Sequence, residues 1–170
     1  MASGDILFPL DVPGAIPLAT ASAWKGTTTT IGRPYLCFVK TGVTGIAWEG
    51  IMPMGFTSLT ARIHWFGITS NTNNCVWRMT FQLDTLGSGT NAWGANNWYA
   101  AGQQTVTTAA PTTFGLDVAP AVESVMIFTA AQAASIIKGS PFRVLLERNT
   151  AGADTLAGSV AYVGGSLEIT

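Results

Sequence analysis

Apolar and polar side chains alternate along several stretches of this sequence. In SLTARIHWFGI, Leu59, Ala61, Ile63 and Trp65 fall on one side, and Thr60, Arg62 and His64 on the other. In CVWRMTFQL, Cys75, Trp77, Met79 and Phe81 oppose Val76, Arg78, Thr80 and Gln82. A period of two marks a half-buried strand. The polar cluster TSNTNN separates these two runs, so together they read as a long hairpin. Near the C-terminus, Phe142, Val144 and Leu146 oppose Arg143, Leu145 and Glu147. In the last run, Ala161, Val163, Leu167 and Ile169 oppose Tyr162, Ser166 and Glu168. YLCFVKT, TGIAWEGIMP, YAAGQQTVTT, TTFGLDV and AVESVMIFTA supply further β segments. Two of these, YLCFV and VMIF, are apolar on both faces, which calls for cover by the N-terminal segment, a loop or a neighbouring subunit. One helical turn is expected in TAAQAASIIKGS, where Thr129 caps and Gly139 ends it. About eight or nine strands with turn signals between them point to an all-β sandwich or barrel.

Residues 1–33 break this pattern. Pro9, Pro13 and Pro17, several glycines and the run of threonines at 27–30 exclude a helix there. The stretch is nevertheless rich in Ile6, Leu7, Phe8, Leu10 and Val12, more apolar than a disordered linker. It is expected to be an extended, irregular arm lying on another surface, with residues 34–170 forming the domain proper.

Composition sharpens the picture. Of the 170 residues only 10% are charged, while 48% are hydrophobic. A typical soluble domain carries about 25% charged residues. A surface this poor in charge is expected to be partly hidden by copies of itself or by a partner. The formal net charge is −1 and the basic residues are scattered, so no footprint for nucleic acid exists. No apolar run reaches the roughly 18 residues that span a membrane. The N-terminal MASGDILFPLDVPG lacks a basic region and carries Asp5 and Asp11, so synthesis in the cytosol is expected. Cys37 and Cys75 are then expected to be reduced and buried.

The chemistry sought is absent. His64 is the only imidazole, shares its strand face with Arg62, and has no carboxylate near in sequence. Nucleophilic catalysis requires a base beside Ser or Cys. One His and two Cys without ligand spacing do not make a zinc shell. GSGTNAWG is followed by neither Lys-Ser/Thr nor a helix, so it is no phosphate loop. No enzyme and no cofactor are expected. The Gly- and Asn-rich stretch 84–98 carries Trp93 and Trp98, and Tyr99 follows. These aromatics suit a fold-back core, an interface or a sugar contact. Arg148 and Asp154 flank the small-residue turn NTAGA and are expected to hold that corner structurally, as an Asx-type turn closed by an Arg fork.

Two stretches carry a family resemblance: AWEGIMPMGFTSLTARIHWFGITSNTNNCVWRMTF and SPFRVLLERNTAGADTLAGSVAYVGGSLEI. Their layout of Trp-bearing strand, proline, aromatic pair, polar turn and Asp-Thr-Leu-Ala-Gly turn resembles the jelly-roll virion proteins of tailed bacteriophages, which include capsid cement or decoration proteins. The resemblance covers 34–170 and implies a jelly-roll β-sandwich of about eight strands, commonly trimeric, seated on a viral shell. It implies a non-enzymatic virion protein made in the host cytoplasm, partnered by itself as a homotrimer and by the major capsid protein. Ile6, Leu7, Phe8, Leu10 and Val12 would then contact the capsid. The alternative is a jelly-roll carbohydrate- or receptor-binding module of a tail or fibre, for which Trp93, Trp98 and Tyr99 are the contact candidates.

Overall fold

The structure, a computed structural model, describes residues 5–17, 24–28, 32–41, 44–52, 57–69, 73–83, 99–116, 119–134, 139 and 141–169. Its strands are β1 (Ile6–Pro9), β2 (Ile16–Pro17), β3 (Trp24–Thr27), β4 (Pro34–Phe38), β5 (Thr44–Ile51), β6 (Leu59–Gly67), β7 (Asn74–Leu83), β8 (Tyr99–Ala109), β9 (Val122–Phe128), β10 (Pro141–Arg148) and β11 (Val160–Ile169). One helical turn, α1 (Ala130–Ala134), precedes β10. Gln132 N donates to Thr129 Oγ1, and Thr129 N donates to Gln132 Oε1 at 2.9 Å, so Thr129 caps this turn reciprocally.

The strands form two antiparallel sheets, and the chain is a jelly-roll β-sandwich. The first sheet runs β3-β4-β11-β6-β9, with β1 added to β11. The second runs β2-β5-β10-β7-β8. The main core lies between them. It takes Leu59, Ala61, Ile63 and Trp65 from β6, Cys75, Trp77, Met79 and Phe81 from β7, and Phe142, Val144 and Leu146 from β10. These are the apolar faces that alternation assigns. Their rings meet edge to face across the sandwich, Trp65 on Trp77 at 5.9 Å and Phe81 on Phe128 at 5.0 Å. Such geometry adds to burial because ring edges and faces carry opposite partial charge.

The expected β6–β7 hairpin is corrected. β6 pairs with β11 and β9, whereas β7 pairs with β10 and β8. Each run has one apolar face, and these faces bury against each other from opposite sheets instead of lying side by side. The connection is too long for a tight hairpin turn and spans the gap of about 10 Å between packed sheets.

The last strand also departs from strict alternation. Val160, Tyr162, Leu167 and Ile169 face the main core, whereas Ala161 and Val163 face outward. The register against β6 slips between Tyr162 and Gly164, so the side that points inward changes phase at this bulge. Gly164 has φ 149°, and a Cβ on Gly165 would stand 2.3 Å from the Arg62 carbonyl oxygen. The glycine pair is what lets β11 change phase while staying hydrogen-bonded to β6.

The two doubly apolar stretches resolve differently. In β4, Leu36 and Phe38 enter the main core, while Tyr35 and Cys37 form a second cluster with Phe66 and Ala161, packed by Leu116 and Ala119. Cover here comes from the chain itself. In β9, Met126 and Phe128 are buried and Ile127 is left 59% exposed.

Residues 5–17 are not a free arm. β1 adds to the first sheet and β2 to the second, so the segment straps across one open side of the sandwich. Leu10, Val12 and Ala15 are buried in the main core, and Phe8 packs against its rim. The expected capsid-contact set therefore divides: Leu10 and Val12 are used inside the chain, Ile6 is 66% exposed, and Leu7 lies on β1. Proline spacing hides short edge strands from a reading based on alternation, because edge strands tolerate proline.

Candidate functional site

The Arg148–Asp154 corner is fully built. Arg148 is the last residue of β10, and its chain neighbours across the sheet are Thr44 and Trp77. Its guanidinium meets Asp154 in a fork, Nε to Oδ2 at 2.9 Å and Nη2 to Oδ1 at 3.0 Å. Nη2 also donates to the Leu156 carbonyl, and Nη1 to that of Gly158. Lys40 Nζ donates to Asp154 Oδ1 at 3.0 Å and to its carbonyl at 2.6 Å, and Val76 N donates to Oδ2. Both partners of the fork are buried, with no side-chain exposure. Burial pushes the Asp154 carboxyl up, but the bonds from Arg148, Lys40 and Val76 outweigh it and hold the group below its ordinary value. A carboxylate this thoroughly neutralised is a poor base. The Cys75 thiol is hydrogen-bonded to it but is pushed up by burial rather than activated, so the arrangement clamps β4, β7, β10 and the 149–159 connection together.

Cys37 and Cys75 are both free and buried. Burial raises both thiols, and for Cys75 it far outweighs the opposing field of Arg148. Neither is a reactive thiolate.

Two other constellations lie on the outer faces of the sheets, the first exposed and the second largely buried. On the first sheet, Arg62 bridges Glu168 and Glu123 at 2.9 Å each, and His64 Nε2 lies 3.3 Å from Glu123. On the second sheet, the residues between the core positions of β10 point outward. Arg143 pairs with Glu49, directly opposite on β5, and Glu147 pairs with Arg78 on β7 through Nε at 2.8 Å. Between the two pairs runs a row of Ala47, Leu145, Thr80 and Gln103, of which the first three are buried, with Gln103 Nε2 donating to Thr80 Oγ1. Thr105 continues the Glu147–Arg78 row onto β8. This face thus carries two guanidinium–carboxylate pairs, two cations against two anions, set about 13 Å apart along β10. Sequence alternation placed Arg78, Thr80, Arg143, Leu145 and Glu147 on the side away from the core, and assigned no side to Ala47, Glu49, Gln103 or Thr105. The pairing itself needed the sheet order, which no local pattern encodes.

Trp93 and Trp98 lie outside the described residues. Tyr99 begins β8, in register with Phe81. The connection bearing both tryptophans therefore joins the end of β7 to the start of β8, the end of the second sheet where Leu83 pairs with Phe142, next to Arg143. Among the described residues, no group of three or more His, Cys, Asp or Glu is placed to hold a metal ion, and no helix is long and apolar enough to cross a membrane.

Protein-family profiles and curated sequences contain no match to the chain. Solved structures do match its fold. The CBM22-1 xylan-binding domain from Paenibacillus barcinonensis Xyn10C aligns with TM-score 0.51 and 13% identity, over 99% of this chain and 97% of that one. The CBM22-1 and GH10 modules of the Clostridium thermocellum xylanase Xyn10B, complexed with xylohexaose, align with TM-score 0.53 and 9% identity, over 99% of this chain and 29% of that one. A putative sugar binding protein from Bacteroides thetaiotaomicron aligns with TM-score 0.52 and 8% identity, over 100% and 90%. At these identities the likeness is one of fold.

Proposed function

We propose that the chain is a non-enzymatic carbohydrate-binding module, and that the outward face of the second sheet receives an extended, neutral saccharide. The observation that carries this reading is the pair of fixed guanidinium–carboxylate units on that face. A sugar hydroxyl both donates and accepts, and each unit offers a donor and an acceptor side by side in a set geometry. Among the described residues the face carries as many cations as anions, which suits a neutral ligand better than a polyanion. Trp98, which directly precedes β8 in sequence, and Tyr99, its first residue, are proposed as the rings that stack on the sugar. The solved structures of like fold, named for xylan and sugar binding, support carbohydrate recognition over the capsid role. Titration calorimetry against a panel of soluble neutral polysaccharides tests it. Binding that survives about 0.5 M salt, and that falls at least tenfold in Arg143→Ala and Trp98→Ala with the circular dichroism unchanged, is the expected result. A chain that binds none of the panel, or whose binding is untouched by both substitutions, sinks the proposal.

Capsid attachment as a cement protein of a virion keeps one observation in its favour, the apolar Ile6, Ile51 and Ile127 exposed on a chain with only 10% charged residues. Co-sedimentation with empty capsids separates that reading from carbohydrate binding.

A further inference from the structure

The two guanidinium–carboxylate units of the second sheet have different neighbours. On β5, Ile46 and Trp48 enter the main core, so Ala47, Glu49 and Ile51 point to the outer face. Glu49 stands opposite Arg143 on β10, and the next outward pair along the same two strands is Ile51 and Pro141. Ile51 is 70% exposed, the most exposed large hydrophobic among the described residues. In the other direction along β5 comes Ala47, and Ile16 of β2 lies beside it, 36% exposed. Strand rise and spacing put the two isoleucines about 14 Å apart, with the Glu49–Arg143 pair between them. The Glu147–Arg78 unit has Gly45, Thr105 and the buried Val76 for neighbours instead.

Single exposed apolar residues are ordinary on any surface. What sets these two apart is their position, on either side of a fixed donor–acceptor pair. A pyranose ring divides its surface in the same way. Its hydroxyls project from the rim, and when all of them are equatorial the axial C–H bonds make both faces apolar. A ring seated with one face on Ile51 turns its rim to Arg143 and Glu49, where a hydroxyl can accept from the guanidinium and donate to the carboxylate. A later ring of the same chain reaches Ile16. An axial hydroxyl in that position would be pressed on the isoleucine without a partner and would lose its bond to water.

We propose, on the carbohydrate-binding reading, that Ile51 and Ile16 are contact residues flanking the Glu49–Arg143 pair, and that the saccharide they select is a chain of pyranoses with equatorial hydroxyls, gluco- or xylo-configured.

The test is calorimetric titration of the full-length chain with cellohexaose, xylohexaose and mannohexaose, the last carrying an axial hydroxyl on every ring. Cellohexaose or xylohexaose is expected to bind at least tenfold tighter than mannohexaose. Ile51→Thr, which keeps a β-branched side chain on the strand, is expected to weaken that binding at least fivefold, and the Ile51→Thr/Ile16→Thr chain to weaken it further. Ile127→Thr, at a position 59% exposed on the first sheet, should leave it unchanged. Saccharide binding that ignores both isoleucines, or that is as tight for mannohexaose, overturns the contact assignment while carbohydrate binding itself stands. A chain that binds none of the three overturns both.

Discussion

At the scale of single residues, burial decides what the Arg148–Asp154 corner is worth. An exposed pair across a turn contributes about 0–1 kcal/mol. This pair is sealed from solvent, and removing one partner leaves the other charged and stranded. Asp154→Ala and Arg148→Ala are each expected to lose about 3–5 kcal/mol. The double substitution should lose clearly less than the sum, since it strands neither charge. Urea unfolding midpoints measure this, and additive losses would mean the two groups act separately. The turn NTAGA and the flanking charges were legible in the sequence as a corner. The burial was not, because small and polar residues read as an exposed turn. Lys40 was invisible to any local reading, standing 114 positions from the carboxylate it neutralises. The cysteines offer a second check at this scale. With both thiols buried and raised, labelling by a water-soluble thiol reagent should require denaturant, and rapid reaction of either in the native protein would contradict the packing around β4 and β7.

At the scale of elements, the pleat was readable and the partners were not. Inward and outward sides of β6, β7 and β10 follow from period two alone, because one face of each strand meets the core throughout. Strand pairing is a non-local property: nothing within SLTARIHWFGI or CVWRMTFQL says whether the two lie in one sheet or face each other across a core. The outward face proposed to hold saccharide was legible in part, as the sides of β7 and β10 without their partners on β5 and β8. β11 shows the limit even of the pleat, since its phase changes at a bulge that the sequence marks only by Gly164 and Gly165. The bulge is a sharp test of the architecture. In Gly165→Ala the new methyl would press on the Arg62 carbonyl at 2.3 Å, and backbone cannot yield as a side-chain tip can. That substitution is expected to abolish soluble folded protein, whereas Gly152→Ala, with nothing within 4 Å of its Cβ, should lose only the cost of its positive φ. Soluble yield and circular dichroism compare the two. Equal behaviour would deny the close approach of β11 to β6.

At the scale of the whole molecule, scarcity of charge makes the few titratable groups govern stability across pH. Among the described residues, Lys40, Arg62, Arg78, Arg143 and Arg148 stand in ion pairs. On the acid side, Asp154 and Glu168 are held below their ordinary values of 3.8 and 4.5. In both, burial pushes upward and is outweighed, by Arg148 and Lys40 for Asp154 and by Arg62 and Ser166 for Glu168. A carboxyl with a lowered folded pKa stabilises fully above its unfolded value. That contribution is lost as pH falls through the folded one. On the alkaline side, burial raises Cys37 and Cys75 above 9.0, and Tyr35 and Tyr162 above 10.0. These groups stay neutral in the fold while the unfolded chain ionises. Their contribution is therefore complete below 9.0 and declines as pH rises past it towards the folded values. Thermal midpoints against pH are thus expected to form a plateau from about pH 5 to 8.5, with an acid limb carried by the carboxyls and an alkaline limb led by the thiols. Cys75→Ala should flatten the decline above pH 9, because it removes a buried ionisation, while the acid limb stays in place, because Arg148 and Lys40 still hold Asp154. Asp154→Asn should flatten the acid limb below pH 4 and lower the plateau. An alkaline limb equally steep in Cys75→Ala would show that this thiol titrates alike in the folded and unfolded chains, and that the packing around β7 does not seal it from water.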